Sequence, residues 1–543
     1  MRFFLFLPFL LLRAQTSLAI VPFYPWLSSL WHYEDLLYLS PYFNTAKTNR
    51  TVNGSVIAAE WVRVAYHDMA NANVGAGTGG IDMSIAFELD RPENPGQGLK
   101  DALNDFRTIY SPNVNMADSI AMGVVFALAS SGGPLIPFRG GRIQVNSAGP
   151  LGVPQPQESL ESHIEAFRRQ GFSTTEMIQL VACGHSLGGV RNPDFVNMVP
   201  EDGVHKFFDS SQATFDNNVI TEYLDSTTQN PLAVTQNATF RSDLRIFNSD
   251  GNKTMQAYVL PLFLYLRSDF SSLANPDAFA STCATVMEKM INTVPSGVKL
   301  TEPVEPAQFT VARMFLTAQA ANQTQISVTT RWLNPSSNNK VTIFWSDKLH
   351  PSNCSREICS ATAKTMSDQP VEPVSFAPSM LAIINPHRFH KFVFSISSTV
   401  VPDKFWFEVE DSAVKSGLFI GDNGGQGFTR ADNLDVFLDT VRTTEATTDS
   451  SLKFVVAVRK SNRPSKISIE YVDISADAAP DFNPNIGTKD FSLDSSIAPT
   501  FEYEFWTAPV PVLFSTYTLS VVRDGKSIIL DENQILADRV NIL

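Results

Sequence analysis

The sequence predicts a mainly α-helical part followed by a β-rich, sandwich-like part. Three observations carry this. Up to about residue 299, apolar residues recur at helical spacing behind helix-start signals. Near residue 300 the texture changes, and short runs rich in Phe, Val and Ile replace the helical pattern. The 543-residue length exceeds what one ordinary core organises, so two domains are the default.

Residues 1–19 read as a secretory signal. Arg2 is the charged start, Phe3 to Leu12 the apolar run, and Ser17-Leu18-Ala19 a cleavage region of small residues. The run is too short to span a bilayer, and no later stretch reaches ~18 unbroken apolar residues. No transmembrane helix is expected, and the charged approach to Val540-Asn541-Ile542-Leu543 lacks a GPI-type tail. The expected location is therefore secreted. Six N-x-S/T sequons, at Asn49, Asn53, Asn237, Asn252, Asn322 and Asn353, are then candidate glycan sites on the surface.

Residues 20–299 form the predicted helical domain. Within it, Arg63-Val64-Ala65-Tyr66-His67-Asp68 places an arginine and a histidine four apart, on one helical face. A permanent cation depresses the pKa of a neighbouring imidazole and satisfies neither group. The pair suits a small polar oxidant: His67 can move a proton and Arg63 can stabilise developing negative charge. Asn115 caps a long apolar run from Met116 to Ala129, which Ser131-Gly132-Gly133-Pro134 breaks. Asp118 suits the start of that helix. Thr174-Thr175-Glu176 opens a further helix that delivers Ala182-Cys183-Gly184-His185-Ser186 near its end. A lone buried histidine is by itself most often a satisfied core residue. The chain has only 8 histidines, so two in apolar helical settings invite a chemical reading.

Residues 300–310, with Glu302-Pro303-Val304-Glu305-Pro306, read as a short stiff linker. Residues 311–543 form the β-rich domain, of unknown role. Phe392 to Ile396, Phe405 to Val409, Phe454 to Val458 and the alternating Ile467, Ile469 and Tyr471 read as strands. Asp524-Gly525 is a hairpin signal. His387 and His390 read as surface residues, having no acidic or Cys partner nearby.

Hydrophobic content of 43% with 18% charged residues describes a folded chain with a sizeable core. The net charge of −14 argues against a nucleic-acid partner. Of the 4 cysteines, Cys354 and Cys359 are near enough to form a local disulfide, whereas Cys183 and Cys283 read as buried free thiols.

The order of the motifs resembles the plant, fungal and bacterial heme peroxidase superfamily, and its secreted fungal (class II-like) branch, over about residues 50–290. The resemblance rests on Arg63, His67 and Asp68, then Gly79-Gly80-Ile81-Asp82-Met83-Ser84, then Glu88 and Asn94, then the His185 segment, then Phe240-Arg241-Ser242-Asp243-Leu244. It implies a mainly α heme-peroxidase fold and an enzyme that oxidises small, phenolic substrates with hydrogen peroxide at heme b. Arg63, His67, Asn94 and Glu88 would be the catalytic set. His185 would be the axial ligand of the heme iron, Asp243 its hydrogen-bond partner, and Tyr66 and Phe208 aromatic neighbours of the heme. For Asp243 the competing reading is a surface acid between two arginines. For Asp118 the resemblance implies a buried pair with Arg142, the alternative to its helix-start role.

The same resemblance implies two calcium sites, since calcium takes several hard oxygen ligands. One would use Asp68, Gly80, Asp82 and Ser84. The other would use Ser186, Asp209, Ser211, Thr214 and Asp216. The positions matching a manganese site in relatives are Val56, Glu60 and Arg191, an incomplete acidic set. Leu180 stands where lignin-oxidising relatives carry an exposed Trp, and Phe208 where cytochrome c peroxidase carries a redox Trp. A small phenol at the heme edge is the remaining expectation. Four cysteines depart from the richer disulfide set of secreted relatives, which puts the branch in question. Two further readings stand beside the enzyme. One is a peroxidase-fold binding or adhesion protein with little turnover. The other is a C-terminal domain that makes cell-wall or carbohydrate contact.

Overall fold

The computed structural model describes residues 29–534, except 40–41, 52, 257–272, 321, 337–338, 348–353, 366–379, 381–386, 401, 423–424, 426, 430–434, 446–450, 474–484 and 512–513. The expected signal segment and the sequon at Asn353 lie outside the described residues.

Helices fill the first part. The helix Met116–Ser130 is its axis: every residue from Met116 to Ala129 is buried. A helix apolar all round belongs in a core, and each fully buried large side chain stabilises by about 1.5–3 kcal/mol. Asn115 caps it, its side chain accepting from the Asp118 N–H. Asp118 also pairs with Arg142 at 2.9 Å and accepts from Tyr33 Oη at 2.8 Å, so the buried charge has partners. Gly123 lets the helix Gly98–Arg107 approach; a Cβ there would sit 2.4 Å from the Phe106 ring. Helix Ile57–Met69 packs on this axis and carries Arg63 and His67. Helix Thr174–Gly184 starts with a Ser173–Glu176 capping box, and His185 is its C-cap.

Cys183 and Cys283 are not free thiols. They form a disulfide that joins helix Thr174–Gly184 to helix Pro276–Ile291. The two helices bring the Cα atoms to 5.5 Å, within bridging reach. Cys354 and Cys359 form the short-loop disulfide.

Residues 300–310 are not a free spacer. Thr301 N–H donates to the Gly140 carbonyl at 2.9 Å, and Val304 N–H to that of Phe138 at 2.8 Å. Val304 is buried in the helical core, and Tyr38 Oη donates to its carbonyl. Ala307 N–H donates to Glu34, which also pairs with buried Arg331 of the first β-sheet. The β-rich part is thus seated on the helical part.

That part forms two sandwiches rather than one. In the first, one sheet has the order Phe309–Gln319, Gln323–Leu333, His387–Ser397, Lys364–Thr365. It faces a sheet built on Leu418–Gly421, Pro402–Asp411, Asn339–Asp347 and Ser360–Thr362. In the second, Val436–Leu438, Ser451–Arg459, Tyr503–Pro511 and Ser492–Leu493 face Asn485–Asp490, Lys466–Asp473, Phe514–Arg523 and Lys526–Gln534. Strand Ser451–Arg459 explains the join: Phe454, Val456 and Val458 enter the second core, while Val455 and Ala457 enter the first. A strand buried on both faces reads as a continuous apolar run, as this one does. Arg523 pairs with Lys526 across Asp524-Gly525, both at positive φ. His390 is wholly buried, its Nε2 2.6 Å from Asn339 Oδ1, so the surface reading fails for it. His387 is half-buried.

Replacing Cys183 and Cys283 together by Ser removes a crosslink that closes a loop of 100 residues. The double variant is expected to lose ~2–5 kcal/mol of stability. Thermal unfolding checks this, and an unchanged midpoint would show that the bridge contributes nothing.

Candidate active site

Two helices face each other across a cavity of about 600 Å³. Helix Ile57–Met69 presents Arg63, Tyr66 and His67, and helix Thr174–Gly184 with its cap presents Leu180 and His185. The i, i+4 spacing puts Arg63 and His67 on the cavity face.

His67 is buried, and its Nδ1 lies 2.7 Å from Asn94 Oδ1. An amide oxygen can only accept, so Nδ1 carries the proton and Nε2 keeps its lone pair. Asn94 Nδ2 donates to the Glu88 backbone carbonyl at 2.9 Å, which fixes the amide. Glu88 therefore acts here through its backbone; its carboxylate accepts from Gly149 N–H and pairs with Arg91. Burial, followed by the charge of Arg63, lowers the His67 pKa to about 3. The imidazole is a neutral base at neutral pH. Arg63 donates to the Pro95 carbonyl at 2.7 Å. Burial brings its pKa down to about 10, so it stays charged. Adjacent residues Asn94 and Pro95 thus hold both groups. Tyr66 stacks on Phe167 and meets His67 edge-on, and burial raises its phenol pKa.

Across the cavity, His185 Nδ1 lies 2.8 Å from Asp243 Oδ2. The carboxylate can only accept, so Nδ1 donates and Nε2 keeps its lone pair. Asp243 is wholly buried rather than on the surface, despite Arg241 and Arg245 beside it. Arg241 turns to the Thr235 carbonyl and Arg245 to those of Pro156 and Glu158. Asp243 also accepts from Asn230 Nδ2 at 2.7 Å and from Ser242 Oγ at 3.3 Å. Asn230 escaped sequence reasoning because its visible role is to cap the helix Pro231–Val234. Phe208 stacks on His185, with centroids 4.3 Å apart and planes at 18°.

The residues expected to bind calcium form two groups. The Asp68 carboxylate accepts from the N–H groups of Asp82, Met83 and Ile85. Asp82 accepts from Ser84 N–H, and Ser84 Oγ receives Asn71 Nδ2 at 2.6 Å. Gly80 stands at φ +120°, where a Cβ would meet the Thr293 carbonyl at 2.4 Å. Burial raises both carboxyls, and the charge of Asp82 raises that of Asp68 further. In the second group, Asp209 Oδ1 accepts from Ser211 and Gln212, but its buried Oδ2 has no hydrogen-bond partner among the described residues. Burial, with Asp216 nearby, raises the Asp209 carboxyl to about 6. Asp216 accepts from Asn218 N–H, Ser211 Oγ contacts the Thr214 carbonyl at 3.4 Å, and Ser186 Oγ donates to the Cys183 carbonyl. Among the described residues, no three His, Cys, Asp or Glu side chains converge as a metal site.

Val56, Glu60 and Arg191 all line the cavity; Glu60 pairs with Arg50 and Arg191 with Asp194, each at 2.8 Å. Leu180 is buried in the helical core.

A protein-family profile described as peroxidase matches residues 44–260. A WSC domain-containing protein from Arthroderma benhamiae is 35% identical over 350 residues, covering 61% of this chain and 46% of that protein. A peroxisomal L-ascorbate peroxidase 5 from Arabidopsis thaliana is 28% identical over 209 residues, 37% of this chain and 71% of the relative. A mitochondrial cytochrome c peroxidase from Yarrowia lipolytica is 30% identical over 133 residues, 23% of this chain and 39% of the relative. The chain thus spans less than half the length of the WSC domain-containing relative.

Proposed function

We propose, on the premise that residues 44–260 place this chain in the plant, fungal and bacterial heme peroxidase superfamily, that it reduces hydrogen peroxide and oxidises a small phenolic reductant. The observation that carries the reading is the pair of tautomer-fixed imidazoles, His67 and His185, on opposite walls of one cavity.

The residues present fit a heme. His185 offers one uncommitted ring nitrogen, and a buried carboxylate behind the ring makes it a stronger donor. On the facing wall Asn94 fixes the orientation of His67. A bound heme would supply the iron centre at which peroxide is reduced.

The chain's own groups do the proton work. His67 Nε2 takes the proton from the near oxygen of hydrogen peroxide. It returns that proton to the far oxygen as water departs. Arg63 stabilises the negative charge that develops on the departing oxygen. The low His67 pKa keeps the base neutral over the working range, as the first transfer requires.

A phenol is the reading left by Val56 and Arg191 beside Glu60, and by Leu180 and Phe208 where relatives carry a Trp. Glu60 pairs with Arg50 and Arg191 with Asp194, and Leu180 is buried where those relatives carry an exposed Trp. The relatives named for ascorbate and for cytochrome c make those two reductants the direct comparison.

Calcium belongs to the same proposal. Two buried carboxyls in one hydrogen-bonded cage, and the unpartnered Asp209 Oδ2, are each relieved by a hard cation. Secretion and glycosylation fit the two disulfides and the exposed sequon residues Asn49 and Asn237. For the two β-sandwiches the proposal is cell-wall or carbohydrate contact.

His67→Leu is expected to slow the peroxide reaction by at least ~10²–10⁴-fold, the contribution of one general acid–base group. Arg63→Leu should cost less, because it moves no proton. Rapid mixing with excess peroxide measures both, and a near-normal rate in His67→Leu would remove the histidine from the chemistry. For calcium, chelation should lower the thermal midpoint and added Ca²⁺ should restore it. A calcium-free protein with an unchanged midpoint would exclude both sites.

A further inference from the structure

The chain leaving His185 returns to the opposite wall. The strand Gly189–Arg191 pairs with His205–Phe207, and the intervening loop is tied to itself. Phe195 N–H donates to the Arg191 carbonyl at 2.9 Å, and Val199 N–H to that of Phe195 at 2.9 Å. Asn192 Nδ2 donates to the Val199 carbonyl at 3.1 Å, and Arg191 holds Asp194 at 2.8 Å. Such a loop holds its shape without help from the cavity.

Two of its residues reach the far wall. The Phe195 ring lies under the Arg63 guanidinium, 5.4 Å from its carbon. Asp194 rests against Gly96, where a Cβ would come within 3.0 Å of the carboxylate carbon. Gly96 adjoins Pro95, whose carbonyl receives Arg63. The charges of Asp194 and then Glu60 both favour the charged arginine. A guanidinium is planar, with donors at its edge and a face that accepts an aromatic ring. Here one edge is taken by Pro95 and one face by Phe195, so the orientation of the remaining donors is set.

We infer that the loop Asn192–Val199, through the ring of Phe195, positions Arg63 in the cavity and so links the His185 wall to the His67 wall. Phe195 is a positioning residue: it acts through Arg63. The inference rests on the reading of Arg63 as the group that stabilises charge on the reacting oxygen.

The test compares Phe195→Leu, which keeps apolar bulk without a ring face, with Phe195→Tyr, which keeps the face. The first readout is the rate at which phenylglyoxal labels Arg63 in the full chain, followed by peptide mass spectrometry. The second is the dissociation constant of fluoride, a small anion probe of the arginine, in the heme-loaded chain. A cation–π contact of about 0.5–2 kcal/mol corresponds to ~2–30-fold. The leucine variant should be labelled faster and bind fluoride more weakly within that range, and the tyrosine variant should match the parent chain. Should the leucine variant misfold, Phe195→Met makes the same comparison. Parent-like labelling and fluoride binding in the leucine or methionine variant would overturn the inference. If the parent chain takes up no heme, the peroxidase reading fails, and labelling alone still decides the role of Phe195.

Discussion

The site depends on one constraint: each of two cavity-lining imidazoles has its Nδ1 proton committed to an oxygen that can only accept. Asn94 Oδ1 does this for His67 and Asp243 for His185. Both Nε2 atoms are thereby left with a lone pair on the cavity side. Without those two acceptors each ring could turn or change tautomer, and neither would be a dependable base or ligand. Much of the surrounding hydrogen bonding serves this end. The Glu88 carbonyl fixes Asn94, and Asn230 fixes Asp243.

The helical frame explains why these acceptors stay in place. Met116–Ser130 is buried throughout and packs against Ile57–Met69, so the His67 helix cannot shift without opening the core. The His185 helix is tied by the Cys183–Cys283 bridge, two residues before His185. The loop after His185 then reaches Arg63, so the two walls are connected through the chain as well as across the cavity.

Arg63, His67 and His185 were legible in the sequence because local spacing decides their direction: four residues make one helical face, and a helix end presents its cap. The facing of His67 and Asn94 was legible only through a resemblance, since 27 residues separate them. The Cys183–Cys283 bridge was not legible. Nothing local says that two helices will bring together cysteines 100 residues apart. The second sandwich was hidden for a related reason. Strand runs show that strands exist, but the sheet order, with Ser451–Arg459 beside Tyr503–Pro511, is set by long-range pairing. His390 looked like a surface residue because its partner, Asn339, comes from another strand.

The central claim is that His185 presents a ligand nitrogen to a heme in this cavity. Heme titration of the full chain and of His185→Ala, followed by absorption in the Soret region, tests it most directly. The account predicts that the parent chain takes up one heme with a histidine-ligated spectrum and that His185→Ala loses stable uptake. An unchanged stoichiometry and spectrum in His185→Ala would contradict it.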